Sequence, residues 1–261
     1  VHANGADPYS LLAKIGRDCV GALQFLPDGV TPEPAGTVKG RPIDGDYIAR
    51  KIGDLNATPL GLDEDEEFRI SLAGAQEKTA FLLWNDKWHV PHGTTATTHI
   101  MKPRIGILPS GIDLSRSVEN EYLCMKLAQA FGLPAANVAI ADFRGTRVLI
   151  VERFDRLWTK DGRLLRLPQE DCCQALSVPP TRKYESDGGP GMAAALDLLK
   201  ASDDPDTDRR LFLKAQIVFW LLGATDGHAK NFSIFLQPGG RFRLSPLYDI
   251  MSVQPAFHGG Q

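Results

Sequence analysis

The chain has 261 residues, 29 Lys and Arg against 32 Asp and Glu, a net charge of -3 and a pI near 6.1. That balance excludes a protein that grips nucleic acid through its own bulk charge, and 43% hydrophobic with 23% charged residues excludes a disordered chain. No apolar run approaches the roughly 20 residues that span a bilayer, and VHANGADPYS at the start is not a secretory signal. The four cysteines, Cys19, Cys124, Cys172 and Cys173, form no CxxC pair. They read as reduced core thiols, so a cytoplasmic protein without membrane contacts is expected.

In chain order, DPYSLLAKIGRDC reads as a short helix, with Asp7 as N-cap and Pro8 in the first position. VGALQFLPDG reads as a strand and turn, PEPAGTVKGRPIDG as a Pro/Gly-rich connection, DGDYIARKIGDL as a helix and DEDEE as a solvated linker. FRISLAG, TAFLLW, KWHVP and THIMKP then predict an antiparallel meander, with Asn85-Asp86 as one of its turns. SVENEYLCMKLAQAFG predicts a helix capped by Ser117 and ended by Gly132, with Leu123, Leu127 and Phe131 along one face. NVAIADF and TRVLIVERF predict two strands with a turn at Gly145. Beyond Arg156 the pattern becomes helical, in GMAAALDLLKA and DRRLFLKAQIVFWLLGA, before a closing hairpin of FSIFLQ and FRLSPLYDI. The expected organisation is a sheet-rich part over 1–151, a seam at 152–156 and a mostly helical part over 157–261. A seam of this kind is a place for a ligand.

GATDGHAKNFSIF (223–235) sets an acid, an imidazole, an amine and an amide between two apolar runs. Polar groups beside a core cost free energy unless partnered, so the cluster is either a turn facing water or a site. Asp226, four residues, Asn231, a hairpin and then Asp249 is the layout in which kinases place a catalytic Asp, a metal-binding Asn and a second metal-binding Asp. Oxygen ligands of that kind suit magnesium. Each piece has a plainer reading. Asp-Gly-His is also ordinary turn chemistry, Asp249 reads equally as a strand-end cap and Lys102 as a surface lysine at a strand end. SLAGAQEKT, with one glycine, is a weak phosphate loop, and a plain hairpin loop is the stronger reading. VERF offers backbone groups to an adenine ring. What favours a site is the joint order: loop, Lys102, helix, seam, Asp226, Asn231, Asp249.

ISLAGAQEKTA, THIMKP, VERFDR, RLPQED, KYESDGGPG, GATDGHAKNFS and YDI together resemble the HipA family, the kinase toxins of bacterial type II toxin–antitoxin pairs. The resemblance implies an α+β, two-lobed protein-kinase-like fold, distantly similar to phosphatidylinositol kinases and truncated here at both ends. It implies a serine/threonine kinase using ATP and Mg2+, which phosphorylates glutamyl-tRNA synthetase and causes growth arrest. It further implies a HipB-like antitoxin partner, with which such a protein contacts operator DNA and co-represses its operon.

Carried over by residue, Asp226 is the catalytic base, Asn231 and Asp249 the metal ligands, His228 a neighbour of the phosphates and Lys102 the ATP lysine. Ala73, Gly74, Ala75, Gln76, Glu77 and Lys78 match the phosphate loop, Glu152, Arg153 and Phe154 the adenine hinge, and Ser71 the autophosphorylated serine. Thr225 stands where eukaryotic kinases carry Arg, and Tyr-Asp-Ile where they carry Asp-Phe-Gly; both are at home in HipA. Glu119 and Glu121 are both open as the acid that pairs with Lys102, or as helix-start acids. KYESDGGPG is a loop that admits a protein substrate or simply leads into a helix, and the histidines at 89, 92, 99 and 258 show no metal spacing. The rival functions are a small-molecule or lipid kinase of the same fold and a non-catalytic co-repressor module.

Overall fold

The computed structural model describes residues 9, 12, 16–26, 28–56 and 76–257. The chain divides into two compact units, Val1–Ile105 with Ala139–Leu167, and Gly106–Val138 with Pro168–Gln261. This differs from a single cut at 152–156: the chain crosses between units three times, and the helix at Ser117–Ala130 belongs with the C-terminal residues. The expected first helix, the DEDEE linker and the strand FRISLAG lie largely or wholly outside the described residues.

The first unit is built on a six-stranded sheet. Its strands are β1 (Gly40–Pro42), β2 (Thr79–Trp84), β3 (Lys87–Pro91), β4 (His99–Pro103), β5 (Val138–Phe143) and β6 (Thr146–Glu152). They lie in the order β1-β3-β2-β4-β6-β5. β2 and β3 form a hairpin whose turn residues, Asn85 and Asp86, both take positive φ (49° and 57°). Two left-handed residues give the backbone twist that a two-residue hairpin requires. β4 pairs with β2 rather than β3, so these strands are not the simple meander expected; β2, with strands on both edges, is buried along most of its length.

Helix α1 (Gly45–Gly53) covers the sheet. Asp44 caps it, accepting from the Tyr47 N–H at 2.9 Å, and Ile48 and Ile52 reach into a core with Phe81, Met101 and Val148. Met101 has no exposed surface. Met101→Ala is expected to lower the unfolding free energy by about 2–5 kcal/mol, read in urea titration; a loss under about 1 kcal/mol would contradict this core assignment.

The segment 20–26 is not the expected strand. Side-chain ion pairs hold its start instead of a ladder. Asp18 accepts from Arg156 Nη2 at 2.9 Å, from Arg166 Nη2 at 3.0 Å, and from the Thr97 N–H and hydroxyl at 3.0 and 2.6 Å. Asp155 accepts from Arg153 at 2.9 Å, from Arg156 at 2.8 Å and from the Gly21 N–H at 2.9 Å. All these side chains are buried or nearly so. Burial opposes ionisation of Asp18, but the guanidiniums of Arg156, Arg153 and Arg166 overcome it and hold its carboxyl far below the usual range. Burial, then the neighbouring Arg153, pulls Arg156 down to about 10, which still leaves it charged at neutral pH.

The second unit carries α2 (Ser117–Ala130), β9 (Gln169–Asp171), α3 (Cys172–Ala175), α4 (Met192–Leu198), α5 (Pro205–Leu222), β10 (Ser233–Gln237) and β11 (Arg241–Leu244), once β7 (Arg156–Trp158) and β8 (Leu164–Arg166) of the first unit are counted. In α2 the buried face is Val118, Glu121, Cys124, Met125 and Ala128, whereas Leu123 and Phe131 are exposed. The expected face was therefore the wrong one. Spacing by three and four recurs on more than one side of this helix, and packing selects the side. Arg116, not Ser117, is its N-cap. Asp204 caps α5, and Gly223 ends it in the left-handed conformation (φ 66°). The four cysteines are buried free thiols, and burial pushes the Cys172 thiol up to about 12.

Candidate active site

The loop from Asp226 to Asn231 hangs between α5 and β10, and core aromatics set its position. Phe232, directly after Asn231, packs on Phe212 and Phe219 of α5 at ring distances of 4.8 and 5.7 Å. Gly227 lies so close to the Phe219 ring that an added Cβ would stand 2.8 Å from it. Only glycine passes there without displacing the ring.

Within the loop, Asn231 Nδ2 donates to the Asp226 carbonyl at 2.8 Å, and the His228 N–H donates to the same oxygen at 2.9 Å. The Asn231 N–H donates to the His228 carbonyl at 2.9 Å. Asn231 is buried, and its amino group is spent on the backbone, which leaves its Oδ1 as the end able to act as an oxygen ligand. Lys230 pairs with Asp171 at 2.5 Å, and Asp171 also caps α3 in a reciprocal capping box with Gln174.

The hairpin β10–β11 then returns the chain. The Ser245 N–H donates to the Ser233 carbonyl at 2.8 Å, one step beyond the paired strands. Strand β11 ends at Leu244, so Asp249 is not at a strand end as expected. Pro246 has no N–H to continue a ladder, and Leu247 bridges to Ala135 instead. The Tyr248 hydroxyl reaches the Lys230 carbonyl at 2.8 Å and lies 2.6 Å from Ser233 Oγ. The residue before Asp249 is thereby bonded to the residue before Asn231. Asp249 itself takes φ 59°, a left-handed conformation that costs a non-glycine residue free energy and clusters at functional sites.

His228 shows that these groups share one locality. Burial lowers its pKa, as does the nearby Lys183 ammonium, while the Asp226 and Asp249 carboxylates both act to raise it. The net shift is down, so the ring is neutral at pH 7. Its Nδ1 is buried without a hydrogen-bond partner. An orphaned polar atom on a ring that feels two carboxylates and a lysine suits a site that receives a polar ligand.

The remaining sequence-derived candidates belong to the first unit or lie outside the described residues. Lys102 is buried near the end of β4, opposite Leu149 of β6. Lys78 is also buried, one residue before Thr79, which faces Met101; the register thus sets the two lysines side by side. Gln76 donates to the Pro103 carbonyl at 3.0 Å, and Glu77 follows it toward β2. Glu152 is exposed and Phe154 half-buried at the end of β6. Arg153, in the segment expected to form the hinge, is fixed by both its backbone and its side chain. Its N–H donates to Thr98 O at 2.9 Å, and its guanidinium is committed to Asp18, Thr97, Cys19 and Asp155. Ser71, Ala73, Gly74 and Ala75 lie outside the described residues, as does the histidine at 258. Of the two acids on α2, Glu121 is the buried one and Glu119 half-buried.

Sequence reading missed Tyr184, whose hydroxyl donates to Asp226 Oδ1 at 2.7 Å. Its loop, KYESDGGPG, stands out in the sequence, but nothing in the spacing joins residues 42 positions apart.

A family model described as the HipA-like C-terminal domain matches residues 70–260. The chain belongs to this HipA-like family. It is 41% identical over 252 residues to the putative kinase Y4mE of Sinorhizobium fredii, covering 95% of this chain and 58% of that protein. It is 31% identical over 258 residues to the serine/threonine-protein kinase toxin HipA of Shewanella oneidensis, covering 94% of this chain and 56% of that toxin. The structure of the Shewanella oneidensis HipA, HipB and operator DNA complex superposes with a TM-score of 0.76 at 30% identity, over 97% of this chain and 59% of that one. The HipA-like chain therefore has the mixed α+β fold of that kinase toxin, and it spans somewhat over half the length of these relatives. No described helix is long and apolar enough to cross a membrane.

Proposed function

We propose that this chain carries the catalytic elements of an ATP- and magnesium-dependent serine/threonine kinase of the HipA toxin type. The observation that carries the reading is the closed hairpin, which puts Asp226, His228, Asn231 and Asp249 in one locality through the Tyr248–Lys230 and Asn231–Asp226 hydrogen bonds. Asp226 is exposed on its loop and takes the role of base, orienting and deprotonating an acceptor hydroxyl. Asn231 Oδ1 and the Asp249 carboxylate are hard oxygen donors that fit magnesium, and the ion when bound supplies neutralisation of phosphate charge. His228 is taken as a neighbour of the nucleotide phosphates, which its unpartnered Nδ1 supports. Lys102 and Lys78 supply positive charge to the phosphates, together with the backbone of Ala73, Gly74, Ala75, Gln76 and Glu77. Glu152, Arg153 and Phe154 form the adenine hinge, in which Arg153 contributes through the rigidity of its buried ion pairs.

By the same reading the substrate is a protein serine, with glutamyl-tRNA synthetase as the target and Ser71 as an internal acceptor. The partner is a HipB-like antitoxin, and operator DNA is contacted through that complex. The test is incubation with labelled Mg-ATP beside glutamyl-tRNA synthetase and a phosphoinositide vesicle, read by mass spectrometry. Phosphoserine on the synthetase and on Ser71 is the expected result. Label only on lipid would identify a lipid kinase instead, and absence of Mg-ATP binding in calorimetry would identify a non-catalytic co-repressor module.

A further inference from the structure

Tyr184 lies at the site without a role in the chemistry above. Its hydroxyl is a donor 2.7 Å from Asp226 Oδ1, the relation an acceptor hydroxyl must adopt toward its base before transfer. The contact comes from a built loop. The Asp187 and Gly189 N–H groups close back on the Tyr184 carbonyl at 3.1 and 2.9 Å, with Gly188 left-handed at φ 78°. The Lys183 carbonyl accepts from the Ala229 N–H at 3.2 Å, which fastens this loop to the one carrying Asp226. A Cβ on Gly189 would stand 1.9 Å from the Arg182 carbonyl oxygen and 2.7 Å from that of Tyr184, so the turn that presents the tyrosine requires glycine there. The Tyr184 ring stands edge-on to the His228 ring at 5.0 Å, and the Lys183 ammonium lies 4.8 Å from its centre. The hydrogen bond to Asp226, with lesser help from burial and the Asp226 charge, raises the phenol to about 12, so it remains a donor through neutral pH.

We propose that Tyr184 is a built-in pseudosubstrate: its hydroxyl holds the acceptor's place on Asp226, and a protein acceptor must displace it before phosphoryl transfer. This rests on the kinase reading of Asp226. The loop thereby sets which acceptors are used, since only one that binds well enough to displace the tyrosine reaches the base. A free hydroxyl of low affinity is turned away.

Tyr184→Phe removes the hydroxyl and keeps the ring on His228. Transfer from labelled Mg-ATP is measured for the wild type, Tyr184→Phe and Asp226→Ala, with glutamyl-tRNA synthetase and casein as acceptors. One hydrogen bond displaced from a solvent-accessible site corresponds to roughly a five- to tenfold change. Tyr184→Phe is expected to raise kcat/KM for the acceptor by about that factor, more for casein than for the synthetase, with the KM for ATP and the Tm unchanged. An unchanged or lower kcat/KM alongside an active wild type overturns the pseudosubstrate and makes Tyr184 a positioning residue or a bystander. Phosphate found on Tyr184 overturns it too, because the hydroxyl is then an acceptor rather than a block. No transfer by the wild type above the Asp226→Ala level overturns the kinase reading itself, and this inference with it.

Discussion

Asp226→Ala is expected to lower phosphoryl transfer by about 10²–10⁴-fold, the range a positioned general base contributes, with the protein still folded. Asp226 is exposed, and its carboxylate is bonded to Tyr184 while its carbonyl, which alanine retains, carries the Asn231 and His228 bonds. The backbone of the loop therefore survives the substitution, and Tm should shift by no more than about 2 °C. Asp249→Ala is expected to abolish transfer by a different route. It removes a hard ligand, so calorimetry should show loss of magnesium-dependent nucleotide binding, which Asp226→Ala retains. Relief of the positive φ at residue 249 is not expected, since alanine is no better suited to that conformation than aspartate. Transfer to Ser71 at the wild-type rate by the Asp226 variant would remove the base assignment, whatever its fold.

Asp18→Ala is expected to cost about 3–5 kcal/mol of stability, because it strips a carboxylate from buried guanidiniums and leaves their charge uncompensated. For a chain of this size that is a fall in Tm of roughly 6–20 °C. The pH dependence follows in sign. Asp18 and Asp155 both have folded pKa values held below their ordinary value of 3.8. Each therefore contributes stability that is fully present above about pH 4 and is lost as the pH falls toward its folded pKa. The wild type should lose stability steeply in acid, and the Asp18→Ala variant less steeply from a lower starting point. Parallel acid profiles for the two proteins would show that Asp18 is not held ionised by its three arginines.

Much of the local structure was legible because it depends on neighbours in the chain. The helix in DGDYIARKIGDL, the Asn85-Asp86 turn and Gly132 just past the end of α2 are decided by residue type within a few positions. Failures came where a distant partner chose between locally equal options. Spacing allowed either side of α2 to face inward, and packing chose Val118, Met125 and Ala128 over Leu123 and Phe131. The segment after Asp18 read as a strand by composition, yet buried charges from the far end of β6 hold its start. The partners of the Arg153 guanidinium were likewise invisible in ERFDR: Asp18, Asp155, Thr97 and Cys19 take up its donors.

The residue types of the site, an acid, an imidazole and an amide before a hairpin and a second acid after it, were present in the order of the chain itself. So was membership in the HipA-like family, because a run of short motifs survives as a string. Folding alone decided that Tyr248 ties Asp249 to the Asn231 loop and that a tyrosine 42 residues upstream sits on Asp226. The reason is physical: a hydrogen bond acts over about 3 Å in space and has no fixed separation along the chain, so only the packed backbone determines which donor meets which acceptor.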